Sequence, residues 1–133
     1  MTRADLQGLR ILVAEDEYLL ADDLRGALID AGVEVVGPVP SVAEAAALIS
    51  TETALDAALL DVNLRGEMVF AIADTLEVRG IPFAFVTGYG LAAIPGRYAH
   101  VTVLEKPIRP EQITELAATS LTRRAGLADG TAR

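Results

Sequence analysis

Five residues of this chain could meet to do chemistry at one place, and each stands where an apolar run breaks off. Ile11-Leu12-Val13-Ala14 runs into Glu15-Asp16, and Ala57-Ala58-Leu59-Leu60 runs into Asp61. Phe83-Ala84-Phe85-Val86 runs into Thr87-Gly88, and Val101-Thr102-Val103-Leu104 into Glu105-Lys106-Pro107. Three carboxylates brought close repel one another and raise one another's pKa. A divalent cation resolves that conflict, and magnesium suits it, since it prefers oxygen ligands and takes one or two carboxylates plus phosphate oxygens. Beside such an ion the Asp61 carboxylate can act as a nucleophile and form an acyl phosphate. Phosphoryl transfer needs in-line positioning and neutralisation of equatorial charge more than acid–base chemistry. Lys106 offers a mobile positive charge to one phosphoryl oxygen, and the Thr87 hydroxyl can donate to another.

The elements that must carry these residues follow from the pattern around them. A short apolar run closed by polar and glycine signals reads as a parallel strand covered on both faces. Glu17 opens a helix with Leu20, Leu24, Ala27, Leu28 and Ala31 inward, and Gly32 ends it. Val33 to Val39 reads as a second strand, which Pro38 confines to an edge or a strand end. Ser41-Val42-Ala43-Glu44 is a capping box, and Val42, Ala45, Ala46 and Ile49 form the inward stripe of its helix. A third stripe, Val69, Ile72, Ala73 and Leu76, runs up to Gly80, with Pro82 starting the next strand. Between Tyr89 and His100 the Pro95-Gly96 pair leaves room only for a short or irregular fourth helix. Pro110 suits a first helical position, Ile113, Leu116, Ala117 and Leu121 face inward, and Arg123-Arg124 complement the dipole.

Strands alternating with helices predict an α/β fold: a doubly wound five-stranded parallel sheet with right-handed crossovers. Strand order 2-1-3-4-5 is the common solution, and it sets the ends of the first and third strands side by side at the switch point. Glu15, Asp16 and Asp61 then converge.

The 133 residues make one domain, with 125–133 expected to be a disordered tail too short to hold an output domain. A formal charge of −8 argues against a nucleic-acid footprint. With no cysteine, thiolate chemistry and disulfides are excluded. No apolar stretch suits a membrane span, and Met1-Thr2-Arg3-Ala4-Asp5 does not open a signal peptide, so a cytoplasmic protein is expected.

As a set in this order, Glu15-Asp16, Asp61, Thr87 and Lys106-Pro107 resemble the receiver domain of two-component response regulators, of flavodoxin-like fold, from Leu9 to about Arg124, which sets the expected receiver domain at residues 1–124. The resemblance implies that Asp61 is the phosphoacceptor, with Thr87 and Lys106 at the phosphoryl group. It implies that Asp16 and Asp61 bind Mg2+ directly, that the Asn63 backbone carbonyl adds a third oxygen, that Glu15 acts through water, and that the Lys106–Pro107 peptide is cis. A stand-alone receiver of this kind accepts phosphate from a sensor histidine kinase and signals through an effector or phosphotransfer protein, or serves as a phosphate sink. It turns over no substrate beyond slow self-dephosphorylation, and a phosphorylation-dependent homodimer is compatible with it. The docking face would lie on the last helix and the short fourth segment.

Pro82-Phe83-Ala84-Phe85-Val86-Thr87-Gly88-Tyr89-Gly90 looks like the motif of the FATGUY receivers, an alphaproteobacterial subfamily whose partners are kinases of the HWE and related classes. Two departures from ordinary receivers agree: Val103 stands where most carry a switch aromatic, and the Thr87–Lys106 segment is short. Reordering of the 88–100 loop, with Tyr89 or Tyr98 as the moving aromatic, is the expected substitute.

Plainer readings exist for each residue taken alone. Asp61 could cap a turn, Glu15-Asp16 could favour a helix N-terminus, and Lys106 could be solvated. The G-x-G of Gly88-Tyr89-Gly90 is better read as turn glycines than as a dinucleotide site, and Phe83 and Phe85 as core. His100 reads as a loop residue. Tyr89 could shield the phosphoryl group from water or only pack on the loop. Two other functions would leave similar traces. A phosphorylation-independent docking module has no need of the complete acid, hydroxyl and amine set. A haloacid-dehalogenase-type phosphohydrolase needs an acid two residues past the nucleophile, where this chain has Asn63, and a cap domain.

Overall fold

The computed structural model describes residues 6–88, 90 and 93–116. Tyr89, Ala117, Leu121, Arg123-Arg124 and the 125–133 tail lie outside the described residues. In chain order the elements are β1 (Arg10–Ala14), α1 (Tyr18–Asp30), β2 (Glu34–Val39), α2 (Val42–Thr51), β3 (Ala57–Asp61), β4 (Asn63–Leu64), β5 (Glu67–Met68) and α3 (Phe70–Arg79). Then come β6 (Phe83–Thr87), a single 3-10 turn over Gly96–Tyr98, β7 (Val103–Glu105) and α4 (Pro110–Leu116).

Five strands form one parallel sheet in the order β2-β1-β3-β6-β7. Counting only strands of this sheet, that is 2-1-3-4-5, as the doubly wound reading expects. Strand residues alternate between two cores. Leu12, Ala14, Ala58, Leu60, Phe83 and Phe85 point to the side covered by α2 and α3, where Ile49, Ile72 and Leu76 meet them. Ile11, Val13, Ala57, Leu59 and Ala84 point to the other, covered by Leu24 and Leu28 of α1 and Ile113 and Leu116 of α4. Both faces of the sheet are dry, which is why these strands read as unbroken apolar runs.

Helix ends obey local chemistry. At the end of α1, Gly32 takes φ +90°, and the N–H groups of Gly32 and Val33 donate to the carbonyls of Ile29 and Leu28, closing the last turn in the left-handed conformation glycine tolerates. The Ser41 hydroxyl accepts from Glu44 N–H at 3.2 Å, the first half of a capping box, and donates to the Glu44 carboxylate at 2.9 Å.

Four details differ from the sequence reading. Ala46 faces solvent and Leu48 takes its share of the inner face of α2; four alanines among the first six residues of that helix blur its phase. Ala21 is buried in α1, while Ala27 is half-exposed. The last sheet strand begins at Val103 rather than Val101, because Val101 N–H turns back to the Tyr98 carbonyl, leaving the Thr102 carbonyl to open the ladder with Phe85 N–H. The expected turn after Asp61 is a small antiparallel hairpin, β4 paired with β5. Among the described residues of the fourth segment the helix is irregular, with a 3-10 turn over Gly96–Tyr98.

Candidate phosphoacceptor site

Register decides what meets at the rim. Ala14 pairs with Leu60, Asp61 with Val86, and Thr87 with Glu105. Glu15, one residue beyond Ala14, therefore comes level with Asp61, and Lys106, one beyond Glu105, rises past Thr87. Asp61 ends a fully buried strand and is itself 4% exposed; Glu15 is 2% exposed and Thr87 fully buried.

The Lys106 ammonium reaches Asp61 Oδ2 at 3.0 Å, Glu15 Oε2 at 3.2 Å and Glu17 Oε1 at 2.7 Å. Its backbone N–H donates to the Thr87 carbonyl at 2.9 Å, which ties the lysine to the hydroxyl-bearing strand end. Glu15, Asp16 and Asp61 offer carboxylate oxygens that all lie within 4.8 Å of one another. Asp16, half-exposed, accepts from Arg65 N–H at 2.8 Å.

The β4–β5 hairpin closes the open side. Arg65 and Gly66 both adopt positive φ, 54° and 86°, the pair of left-handed positions a two-residue hairpin turn demands, and glycine at the second keeps the strain low. Asn63 serves this turn with both ends: its N–H donates to Asp61 Oδ1 at 3.2 Å, and its side-chain oxygen accepts from Gly66 N–H at 2.7 Å. The Asn63 carbonyl therefore belongs to a backbone segment pinned beside Asp61. Val69 N–H, bonded to the Val62 carbonyl, holds the base of the hairpin.

Electrostatics are dominated by surplus negative charge. Burial pushes the Glu15 carboxyl up to about 8, and contact with Asp61 pushes the same way; the Glu17 N–H and the Lys106 charge only partly oppose this. Burial alone would lower the Lys106 pKa, but its bonds to Glu17 and Asp61 and the charges of Asp61 and Glu15 outweigh that, so it is held above the ordinary lysine value. Glu15 Oε1 is buried without a hydrogen-bond partner. A buried, orphaned carboxylate oxygen beside two further carboxylates is a donor set that a hard divalent cation fits.

All the site residues expected from the sequence come to this rim, and the Lys106–Pro107 peptide is cis. Two contributors went unnoticed: Glu17, as a partner of Lys106, and the Arg65 backbone, as a partner of Asp16. The signal for the first was present in the acid run Glu15-Asp16-Glu17, which reads equally well as a helix start; the second is a backbone contact that no side chain announces.

Away from the rim, the 3-10 turn is anchored to α3. Tyr98 is 2% exposed, stacks at 5.9 Å on Phe70, and meets Phe83 and Phe85 edge-on. Its hydroxyl donates to Asp74 Oδ1 and lies 3.1 Å from the Phe70 carbonyl. Arg97 spans the Tyr98 ring and the Asp74 carboxylate. The tyrosine thus belongs to the core in this conformation. His100 is exposed and lies 2.8 Å from Glu77 Oε1.

A doubly wound 2-1-3-4-5 sheet whose first and third strands bring acids together at the switch point, with a lysine drawn across from the last strand, is the architecture of a response regulator receiver. Comparison with protein-family models gives no match, nor does comparison with the curated proteins; solved structures do. The chain is 36% identical to SdrG from Sphingomonas melonis Fr1, across 89% of this chain and 97% of that one, with a TM-score of 0.74. It is 35% identical to the BeF3-activated conformation of SdrG from Pseudomonas melonis Fr1, with the same coverage and a TM-score of 0.70. A CheY-like response regulator receiver domain protein from Methanospirillum hungatei JF-1, 24% identical, superposes with a TM-score of 0.78 over 90% of this chain and 98% of that one. The chain belongs to the response regulator receiver domain family.

Proposed function

We propose that this receiver accepts a phosphoryl group from a phosphohistidine of a sensor histidine kinase onto Asp61 and passes the signal on by protein contact, or drains a shared kinase as a phosphate sink. The observation that carries this is the placement of the Asp61 carboxylate: buried at a strand end, 3.0 Å from the Lys106 ammonium and within the reach of Glu15 and Asp16. SdrG takes a BeF3-activated conformation, and beryllofluoride mimics an acyl phosphate, which supports extending the same chemistry to this site.

In the transfer, an Asp61 oxygen bonds to phosphorus as the phosphorus–nitrogen bond of phosphohistidine breaks. The electron pair stays on the imidazole, which leaves neutral because its other ring nitrogen carries a proton. Lys106 holds one phosphoryl oxygen through its charge, and the Thr87 hydroxyl donates to another. Glu15, Asp16, Asp61 and the Asn63 carbonyl would hold Mg2+, which when bound supplies neutralisation of phosphoryl charge. Return to the free carboxylate requires water at phosphorus and breakage of the new oxygen–phosphorus bond, a slow step in a site with no general base assigned to it.

The likeness of Pro82–Gly90 to the FATGUY motif supports reading the chain as a receiver of that subfamily and its kinase as one of the HWE or a related class. No helix among the described residues is long and apolar enough to cross a membrane. A phosphotransfer profile tests the reading: wild type takes label from a cognate kinase only with magnesium, and Asp61→Asn takes none. Equal labelling of Asp61→Asn, or turnover of small phosphate esters, would overturn it.

A further inference from the structure

An ammonium group has three N–H donors, and in Lys106 three carboxylates take them. The shortest contact, 2.7 Å, goes to Glu17, against 3.0 Å to Asp61 and 3.2 Å to Glu15. Glu17 is set apart from the other two. It lies outside the carboxylate group whose oxygens converge, its side chain is 62% exposed, and it stands at the N-cap position of α1 without a side-chain capping bond, while its backbone N–H donates to Glu15 Oε2 at 3.1 Å. Under the reading proposed above, Asp61 changes from carboxylate to acyl phosphate and Glu15 faces the cation. Glu17 changes in neither event, so its hold on the lysine persists into the phosphorylated state.

We infer that Glu17 is a positioning residue for Lys106: it draws the ammonium toward the outer lip of the site and competes with phosphoryl oxygens for its charge, weakening the grip on the phosphorylated acceptor. This inference rests on Asp61 being that acceptor.

The direction follows from two opposed effects. As a tether, Glu17 orders a flexible side chain, which favours a prearranged site. As a charge, it repels a group that arrives with roughly two negative charges of its own. Lys106 is already placed from the buried side by Asp61 and Glu15 and is only 15% exposed, so the tether adds little order. The competing charge is the larger effect.

The test uses the full chain with magnesium and beryllofluoride as the phosphoryl mimic. Glu17→Gln is expected to tighten beryllofluoride binding about threefold to fivefold, the range an exposed ion pair can supply. Asp23→Asn, which removes one charge from the exposed side of the same helix, is expected to leave that affinity unchanged. In the protein without metal or mimic, Glu17→Gln is expected to shift the Lys106 side-chain resonances in NMR spectra, and Asp23→Asn to leave them in place. Unchanged or weaker binding by Glu17→Gln, an equal gain in Asp23→Asn, or unmoved Lys106 resonances each overturn the inference. If wild type takes neither beryllofluoride nor Asp61-dependent label, the underlying reading falls with it; if wild type takes both and Glu17→Gln behaves as wild type, only the role of Glu17 is lost.

Discussion

Lys106 Nζ stands 3.0 Å from Asp61 Oδ2 across 45 residues of chain, and it is the only cation in contact with the two buried acids Asp61 and Glu15 among the described residues. Deleting that charge leaves two carboxylates facing each other in a dry rim. Lys106→Met should destabilise the metal-free protein by roughly 3 kcal/mol at pH 8, as loss of one partner from a buried ion pair does. The loss should be smaller at pH 5, where Glu15 is protonated. Urea melts at the two pH values check this; equal losses would mean that the lysine does not neutralise the acids.

Glu15 carries a pH signature of its own. Its folded pKa is raised, by burial first and then by Asp61, to about 8. A raised carboxyl keeps its proton in the native state after the unfolded chain has lost it. The stability it contributes is therefore complete below the unfolded value of 4.5 and is lost as pH rises toward 8. Metal-free protein should lose stability across that window, and Glu15→Gln should flatten the slope. Denaturant midpoints measured from pH 4.5 to 8.5 would show it.

Magnesium should reverse this trend under the proposed function. Binding ionised carboxylates expels the Glu15 proton near neutral pH, so uptake of the metal should release protons into weakly buffered solution. At a hundred times its Kd, the ion should add about 2.7 kcal/mol of stability, and chelation should remove it. Thermal melts with and without chelator check the size; Asp61→Asn should diminish the effect.

The Tyr98 hydroxyl is bonded to Asp74 and adjoins the Phe70 carbonyl inside an aromatic cluster. Its bond holds the Asp74 carboxyl below the usual range, while burial and Asp74 together push the phenol up. Tyr98→Phe keeps the ring and removes one donor from Asp74, which retains Arg97 as a partner, so it should cost about 0.5–1.5 kcal/mol. Tyr98→Ala removes the ring as well and should cost about 3–5 kcal/mol. Denaturation of the two variants separates the hydroxyl from the packing.

The phase of α2 can be tested directly. Ala45 is fully buried and Ala46 exposed. Ala46→Lys should change stability by less than about 0.5 kcal/mol, whereas Ala45→Lys should destabilise severely by forcing a charge into the core. Severe destabilisation by both substitutions would restore the inward stripe expected from the sequence, which held both alanines.

That helix shows where sequence reading loses its hold. Periodicity marks one face only when side chains differ in size and polarity, and the alanines of α2 fit either face. The β4–β5 hairpin has strands of two residues, too short for any alternation to register. Tyr98 follows Pro95-Gly96, where no helical period survives to say which way a ring points.

By itself the sequence determined the order of strands and helices, the parallel sheet they build, and the acid, hydroxyl and amine waiting at its strand ends. Those follow from local patterns of apolar and breaking residues. Only the tertiary structure decided the distances: that Glu15 comes level with Asp61, that Lys106 shares its three donors among Glu15, Glu17 and Asp61, and that Tyr98 is locked against α3. Register between strands sets these, because it is fixed by packing and hydrogen bonding among segments far apart in the chain, which no local pattern encodes.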